Sequence, residues 1–474
     1  MTRQVPSPRL SDLLHRSAER RPDAVAIVED GTEVTYARLS THVTDFARSL
    51  AGEGIGLGSR ILVSARSAVR TTVSLYAAAE LGATVSVIGN RYSDTQRAMI
   101  EQDFTPHLIL TEQTSEPGPG GAGEQAGNPA LVIYTSGSSG RPGGVICSRE
   151  AVSFSVTAIQ HMLGYLPGDR VLAIPPFSFD YGLYQLFLTV AAGASLEVVA
   201  AGDAVATFAR AGRRRPTVLP VLPALARSCM PIAARWPKPV RDGVRLITST
   251  GAHWDDVTRA ELRDLFPHAG LVSMYGLTEC KRASISTVDE DLRAPGTVGR
   301  PLPGTTVWIE RSDGVWAAPG EVGQIVVQGP NVMRGYWGDP VRTHAVFVER
   351  AGGRVLLTGD DGHLDAEGRL YVHGRRDGQV KIRGTRVAAA EIERAVVGLE
   401  TVSAAALVPG PQGGEPVLYV EGVASDPLIR RHLGGEVGAW KVPNDIRVLA
   451  RFPVNDRGKI DLAALRELAA ARES

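Results

Sequence analysis

The sequence predicts an α/β fold: a large N-terminal domain of parallel-rich sheets with helices, a small β subdomain, and a small α+β unit at the C-terminal end. Three observations predict it. Short β-rich runs alternate with longer helical stretches, the pattern of strands joined by crossover helices. Apolar runs such as LVIYT, RVLAIP and VRLITST lack polar alternation, as strands covered on both faces require. After about residue 300 the texture changes to short alternating strands separated by SDG and PGEVG turns.

In chain order, AVAIVED reads as a strand and TYARLSTHVTDFARSLAGEG as a helix. RILVSAR, AVRTTVSLYAAAELG and TVSVIGN then read as strand, helix and strand. The longest apolar stretch, Thr72 to Ile88, contains Glu80 and Gly82. It falls short of the roughly 20 residues of a membrane span and reads as a buried helix followed by a buried strand. Residues 112–129 (EQTSEPGPGGAGEQAGNP) read as an exposed flexible loop. The flanking strands HLILT and ALVIYTS are expected in one sheet. Residues from about 300 to 376 form the β subdomain. Beyond Arg376 come strand QVKIRG, helix AAEIERAVVGLE, strands VSAAALVPG and EPVLYVEGV, a helix, and strand DIRVLARF.

Composition narrows the function. The chain has 474 residues, with 51 Lys and Arg against 51 Asp and Glu. A balanced charge offers no basic field for nucleic acid or an anionic membrane, so neither is an expected partner. Three cysteines make no disulfide framework. The charged, broken N-terminus does not read as a secretory leader, so a soluble cytoplasmic protein is expected. The histidines lack metal-ligand spacing.

The segment Leu131 to Ser148, LVIYTSGSSGRPGGVICS, carries the strongest chemical signal. A buried strand runs into Thr135, Ser136, Gly137, Ser138, Ser139 and Gly140. Small hydroxyl residues and glycines let backbone N–H groups converge on an anion, as in a polyphosphate-binding loop. The spacing is neither GxxxxGK[ST] nor GxGxxG.

YTSGSSGRPGGV resembles the phosphate-binding signature of the adenylate-forming superfamily, which includes acyl-CoA synthetases, adenylation domains of nonribosomal peptide synthetases and firefly luciferase. Four more motifs follow in that family's order: MYGLTEC (274–280), LLTGDDG (356–362), HGRRDGQVKIRGTRV (373–387) and PVNDRGKID (453–461). The N-terminal SDLLHRSAERRPDAVAIVEDGTEVTYARL also fits, so the resemblance covers essentially the whole chain.

The resemblance implies an ATP-dependent, AMP-forming acid ligase. A carboxylate attacks the α-phosphorus of ATP, and a nucleophile, usually a thiol, then displaces AMP. Tyr275 would stack on adenine, beside Gly276. Thr278 would contact the α-phosphate, and Glu279 would hold Mg²⁺. Asp360 would accept the ribose hydroxyls, while Asp361 reads as a solvated turn residue. Arg375 would reach ribose and phosphate. Lys459 would be the catalytic lysine. Asp377, with Gly378 after it, would be the hinge between residues 1–376 and a small mobile lid of residues 377–474. Lys381 and Gly384 would face the site in the second half-reaction. In STGAHW (249–254), Gly251 would lie beside adenine and acid, whereas His253 reads as a surface residue.

Two departures stand out. The loop has Gly143 where the family carries a lysine on the β- and γ-phosphates, and Arg141 or Arg149 is the expected substitute. A charge-assisted contact of that kind contributes about 1.5–3 kcal/mol. In IPPFSFDYGLYQLF (174–187), Phe179, Asp180 and Tyr181 correspond to the acid-pocket region, with Met274 and Lys281. Asp180 requires a cationic or donating partner: a substrate amino group, or an internal one such as Lys281, and the adjacent cations Lys281 and Arg282 suit either an internal pair with Asp180 or an extra anionic group. Cys280 has no base near it in sequence and is not expected to be a nucleophile.

The expected substrate is a small organic acid (amino, aryl or acyl), within specialised metabolism. CoA, or the phosphopantetheine of a separate carrier protein, is the expected co-substrate, since 13 residues follow Asp461 and no carrier domain is expected there. Two other readings stay open. The adenylate is resolved by an amine, or an oxyanion such as nitrite takes the acid's place. Alternatively, a degenerate member only binds nucleotide. A monomer or homodimer is expected.

Overall fold

The computed structural model describes residues 9–64, 67–89, 94–111, 115–118, 120, 129–136, 142–198, 208–209, 211–251, 254, 256–350, 352–375, 379–382, 385–410, 416–455 and 459–470. These pack as two units. One holds the chain to Val307, Val326–Leu357 and Gly368–Leu370; the other holds Trp308–Ile325, Thr358–Glu367 and the chain from Tyr371 on. Among the described residues, no helix is long and apolar enough to cross a membrane.

The first unit opens with α1 (Leu10–Arg20), β1 (Val25–Glu29), β2 (Thr32–Thr35) and α2 (Tyr36–Gly52). Next come β3 (Arg60–Ser64), α3 (Ala68–Leu81), β4 (Thr84–Ile88), α4 (Asp94–Phe104), β5 (Leu108–Leu110) and β6 (Ser115–Pro117). β7 (Pro129–Ser136), β8 (Pro142–Ser148), α5 (Arg149–Leu163), β9 (Arg170–Leu172), α6 (Asp180–Ala192) and β10 (Ser195–Val198) follow. The run then continues through β11 (Val218–Val221), α7 (Pro223–Ala233), α8 (Lys238–Arg241), β12 (Leu246–Ser249), α9 (Asp256–Leu265), β13 (Gly270–Tyr275), β14 (Ser284–Ile285) and β15 (Arg300–Pro301).

These strands make two sheets. In the nine-stranded sheet the order is β15-β14-β13-β12-β11-β9-β10-β1-β2. Its interior pairs are parallel, and antiparallel strands close both edges. In the other, β8-β7-β4-β3-β5-β6 run in that order, with β3, β4, β5 and β7 parallel. HLILT and ALVIYTS therefore share a sheet, as expected. The apolar stretch over 72–88 is α3 followed by β4, and every residue of β4 is buried. The core under β9, β11 and β12 includes Leu219, Ile247, Trp236, Phe208 and Phe266, with Trp236 stacked on Phe208 at 5.3 Å.

Two local features differ from the sequence expectation. The segment before α2 is not simply a strand entering a helix. Asp30 (φ 48°) and Gly31 (φ 90°) turn β1 back into β2, the two-residue hairpin that an Asp-Gly pair favours. Part of the predicted loop at 112–129 is likewise ordered: Ser115–Pro117 forms exposed edge strand β6 against β5. Its proline suits an edge, where a missing N–H breaks no interior ladder. The rest of that segment lies mostly outside the described residues.

Between residues 306 and 375 the chain forms β16 (Thr306–Glu310), β17 (Gly323–Gln328), β18 (Gly335–Tyr336), α10 (Pro340–Val346), β19 (Phe347–Arg350), β20 (Gly353–Leu364) and β21 (Leu370–Arg375). LLTGDDG lies inside β20, so Asp361 is a half-buried strand residue and not a solvated turn residue. The turn composition misleads here because Gly359 takes φ 73° within a continuous strand.

The second unit continues with β22 (Gln379–Ile382), β23 (Thr385–Ala388), α11 (Ala389–Val397), β24 (Val402–Val408), β25 (Val417–Gly422), α12 (Asp426–Leu433), β26 (Asp445–Leu449) and α13 (Leu462–Ala470). β24, β25 and β26 form one sheet, with α11 and α12 on one face and α13 on the other. Alternation along β24 and β25 feeds both layers: Leu407, Leu418 and Val420 pack under α11, and Ala406, Val408 and Tyr419 under α13.

The second unit also holds a histidine pair. His363 Nδ1 lies 2.8 Å from His373 Nε2, with the rings stacked. Burial lowers both pKa values, and His363 lowers that of His373 further. One ring must donate and the other accept, so the contact needs a neutral ring. A folded-state pKa below the unfolded value means stability is present above pH about 6.5 and is lost as pH falls through it. As pH drops below ~6.5 the melting temperature should fall more steeply in wild type than in His373→Gln. Equal slopes in thermal melts would assign the loss to other groups.

Candidate active site

The parallel strands β11, β12 and β13 end along one edge of the nine-stranded sheet. Ligands of open α/β sheets bind at the carboxyl ends of strands, and YGLTE begins where β13 ends. Tyr275 is buried at this terminus, and Met274 before it is 4% exposed. Gly251, after β12, is exposed with φ 85°.

The turn from Tyr275 to Ala283 is tight. The Ala283 N–H donates to Tyr275 O at 2.8 Å, and the Cys280 N–H donates to Leu277 O at 3.0 Å. A Cβ on Gly276 would come within 2.0 Å of Lys281 O, so no side chain fits there. Lys281 takes φ 60°, a left-handed conformation that costs a non-glycine residue roughly 1–2 kcal/mol. Its Nζ donates to Thr278 O at 3.0 Å and faces the Tyr184 ring at 5.7 Å. Among the described residues Lys281 forms no ion pair.

A second segment, with no counterpart among the sequence motifs, holds this turn. Fully buried Asn331 donates from Nδ2 to Cys280 O (3.1 Å) and Arg282 O (3.0 Å), and its Oδ1 accepts from Thr305 Oγ1. The Met333 N–H donates to Glu279 O at 2.9 Å. Tyr336 Oη donates to Glu279 Oε1 at 2.7 Å. Burial, then the Glu279 charge, raise the Tyr336 pKa, which keeps the phenol a donor. Tyr336 sits on β18, which pairs with β8 through Tyr336↔Val145 and Gly335↔Ile146. The GYWGDP run is the signal available in the sequence: two aromatics between glycines, then Asp339 capping α10 at Arg342 N–H with Pro340 at its start.

Glu279 is thus fixed by one carboxylate oxygen, while Oε2 has no partner among the described residues. A hard oxygen presented in this way fits Mg²⁺, which binds through one or two carboxylates and completes its shell with phosphates and water.

Asp180 begins α6 with its side chain buried. Its partner is Arg282, not Lys281: Arg282 Nη1 lies 3.3 Å from Asp180 Oδ2, and each side chain is 5% exposed. The strained backbone at Lys281 directs its ammonium back into the turn, so the next residue reaches α6. Arg282 also faces the Tyr181 ring at 5.1 Å. Tyr181 itself is locked to β12, with Oη within 2.8 Å of Thr248 O and Oγ1. Phe179 is half-buried at the α6 N-cap. Burial pushes the Cys280 thiol up to about 12, consistent with a packing role.

Thr135 lies at the end of β7, where its Oγ1 contacts Gly143 O at 3.3 Å across the β7–β8 ladder. Arg149 is not near that end. Its Nη2 contacts Ala83 O and Pro129 O, beside the opposite end of β8. Seven residues of strand separate the two ends, about 20 Å, so Arg149 does not replace the loop lysine. Gly137, Ser138, Ser139, Gly140, Arg141 and His253, with Asp377, Gly378 and Gly384, lie outside the described residues, as do the side chains of Ser136, Arg375 and Lys381.

In the second unit, Asp360 is 7% exposed on β20, and its N–H donates to Thr358 Oγ1. Lys459 is tied to Asn455 by two hydrogen bonds. Its N–H donates to Asn455 Oδ1 (3.2 Å) and its carbonyl accepts from Asn455 N–H (2.8 Å), while Val454 bridges Ile460. Asp461 then caps α13 through the N–H groups of Ala463 and Ala464.

Removing one member of a buried ion pair strands the other charge. Arg282→Met should cost about 3–5 kcal/mol in urea unfolding, and adding Asp180→Asn should recover much of it. Strict additivity of the two substitutions would show that the pair is not coupled.

Comparison with known proteins agrees with this architecture. The family model described as AMP-binding enzyme matches residues 14–121 and 115–337. The chain is 29% identical over 495 aligned positions to a plipastatin synthase polypeptide of Bacillus subtilis (strain 168), covering 97% of this chain and 19% of that protein. The chain thus spans about a fifth of that relative's length. Among solved structures, VinN is 31% identical with a TM-score of 0.69, covering 78% of this chain and 100% of that one. ATP-bound MatB from Rhodopseudomonas palustris, at 23% identity, shares the fold with a TM-score of 0.83, over 97% of this chain and 98% of that one. With a matching family model spanning well over half its length and the YGLTE turn at the carboxyl edge of its sheet, the chain belongs to the AMP-binding enzyme family.

Proposed function

We propose that this protein is an AMP-forming ligase that adenylates a small organic acid with ATP and Mg²⁺, then transfers the acyl group to a thiol of CoA or of a separate carrier protein. The observation that carries the reading is Glu279, clamped on one oxygen by Tyr336 in the turn after β13, with its other oxygen without a partner among the described residues. A nucleotide-binding turn that fixes a carboxylate in this way suits a metal–triphosphate substrate.

The chain's residues divide the work. Tyr275 and Gly276 receive adenine, and Thr135 with its loop and Thr278 receive the phosphates. Asp360 and Arg375 hold the ribose. Glu279 would hold Mg²⁺, which when bound would supply positive charge against the phosphates. The acid's carboxylate oxygen forms a bond to the α-phosphorus as the bond to the pyrophosphate oxygen breaks. Lys459, a compact point charge, stabilises the charge that builds between them. Residues 377–474 act as a lid hinged at Asp377. Its second orientation brings Lys381 and Gly384 to the site for thiol attack, which expels AMP. The ligase's place in specialised metabolism is supported by the likeness to the plipastatin synthase polypeptide alone.

The Asp180–Arg282 pair bears on the acid. Asp180 already has its counter-charge, so it does not require a substrate ammonium, which favours an acid without an α-amino group. Two buried cations, Lys281 and Arg282, against one paired carboxylate also favour a second reading, in which a small oxyanion such as nitrite takes the acid's place.

Acid-dependent pyrophosphate release from ATP–Mg²⁺ tests both. A panel of amino, aryl and fatty acids plus nitrite, each with and without CoA, should give turnover with one class. Lys459→Ala should reduce that turnover by about 100-fold or more. Turnover restricted to α-amino acids would overturn the substrate assignment. ATP binding with no release across the panel would turn the reading toward a nucleotide-binding protein without ligase activity.

A further inference from the structure

The loop lysine's position is Gly143, yet the space above it is filled. A Cβ built on Gly143 would lie 2.6 Å from Arg342 Nη1. Gly143 pairs with Thr135 where β7 and β8 border the loop. A guanidinium therefore sits where a side chain at position 143 would begin.

Arg342 is held there by several contacts. Its N–H donates to the Asp339 carboxylate at 2.9 Å. The Tyr336 N–H donates to Thr343 Oγ1, and Thr343 Oγ1 donates to Asp339 O, which closes the turn from β18 into α10. The guanidinium stacks on the Tyr336 ring at 3.8 Å from its centroid. Stacking spends the face of the guanidinium and leaves its in-plane donors for other partners. Among the described residues Arg342 forms no ion pair. The same tyrosine binds Glu279 through its hydroxyl. One aromatic ring thus carries a cation on its face and a carboxylate at its tip.

Resting on the ATP-dependent reading above, we propose that Arg342 supplies the cation that Gly143 omits and binds the β- and γ-phosphates of the incoming triphosphate. Gly143 is the complement of this arrangement, because any side chain there would displace the guanidinium. The cation comes from another element, and Tyr336 couples its position to that of Glu279. A planar fork matches phosphate oxygens bidentately, which a lysine ammonium does not. The separated pyrophosphate would keep this contact, so Arg342 binds the leaving group as well as the substrate.

The test compares nucleotides that do and do not carry those phosphates. Affinity for ATP–Mg²⁺, pyrophosphate–Mg²⁺ and AMP is measured by titration calorimetry on the full chain. Wild type should bind ATP–Mg²⁺ more tightly than AMP. Arg342→Ala and Arg342→Gln should weaken ATP and pyrophosphate about 10- to 100-fold and leave AMP within about twofold. Arg342→Lys should recover part of the loss. The decisive variant is Gly143→Lys in the Arg342→Ala background. The glycine site is then open, and the lysine should restore ATP affinity while thermal melts stay near wild type. Unchanged ATP affinity in Arg342→Ala overturns the proposal, as do equal losses for ATP and AMP, which mark a merely structural stack. Failure of Gly143→Lys to rescue a natively melting double variant also overturns it. Wild type that binds no nucleotide removes the adenylation reading itself, an outcome distinct from the other three.

Discussion

The site depends on burying a sharp turn without leaving its backbone unsatisfied. Between Tyr275 and Ala283 the chain reverses within one short loop, and Cys280, Lys281 and Arg282 are all buried. Buried carbonyls need partners, and an unpaired one costs as much as a lost hydrogen bond. Asn331 supplies two of them from a single amide. Its fully buried position, with Oδ1 satisfied by Thr305, makes it a keystone with little tolerance for replacement. The strain at Lys281 persists because the surrounding contacts over-determine it.

Charge is arranged around that turn in two compartments. On the inner side Arg282 neutralises Asp180, and Lys281 is satisfied by a carbonyl and an aromatic face. On the outer side one Glu279 oxygen has no partner among the described residues, and Arg342 stacks on the Tyr336 ring. The inner groups are buried and paired within the fold, so breaking one contact would strand a desolvated charge. Glu279 and Arg342 are the groups to which the proposed reading gives the metal and the phosphates. Tyr336 belongs to both functions: its backbone extends the β8 edge, its ring carries the cation, and its hydroxyl orients the carboxylate.

Much of this is legible in the sequence. Apolar runs without alternation mark the parallel strands, because a strand covered on both faces has no polar side to show. The order of five short motifs marks the family. The hairpin at Asp30-Gly31 is written in its turn residues, but the strong helical pattern that follows dominates the same window. Asp361 misleads because GDDG has the composition of a turn, while a glycine at positive φ here bends a strand without ending it.

The sequence by itself determined the α/β class, the family and the residue types that nucleotide chemistry requires, since those follow from local periodicity and from contiguous motifs. Only the tertiary structure decided which partners those residues meet. Arg282 displaces Lys281 as the counter-charge of Asp180 because one left-handed residue redirects the side chains after it. Asn331, Tyr336 and Arg342 lie about fifty or more residues beyond the motif they complete. Arg149 is close in sequence to Gly143, where it is the expected substitute for the missing lysine, yet strand β8 carries it about 20 Å away. Sequence proximity fixes distance only along the chain. Strand pairing brings the 330s against β8, and that is a property of the folded sheet.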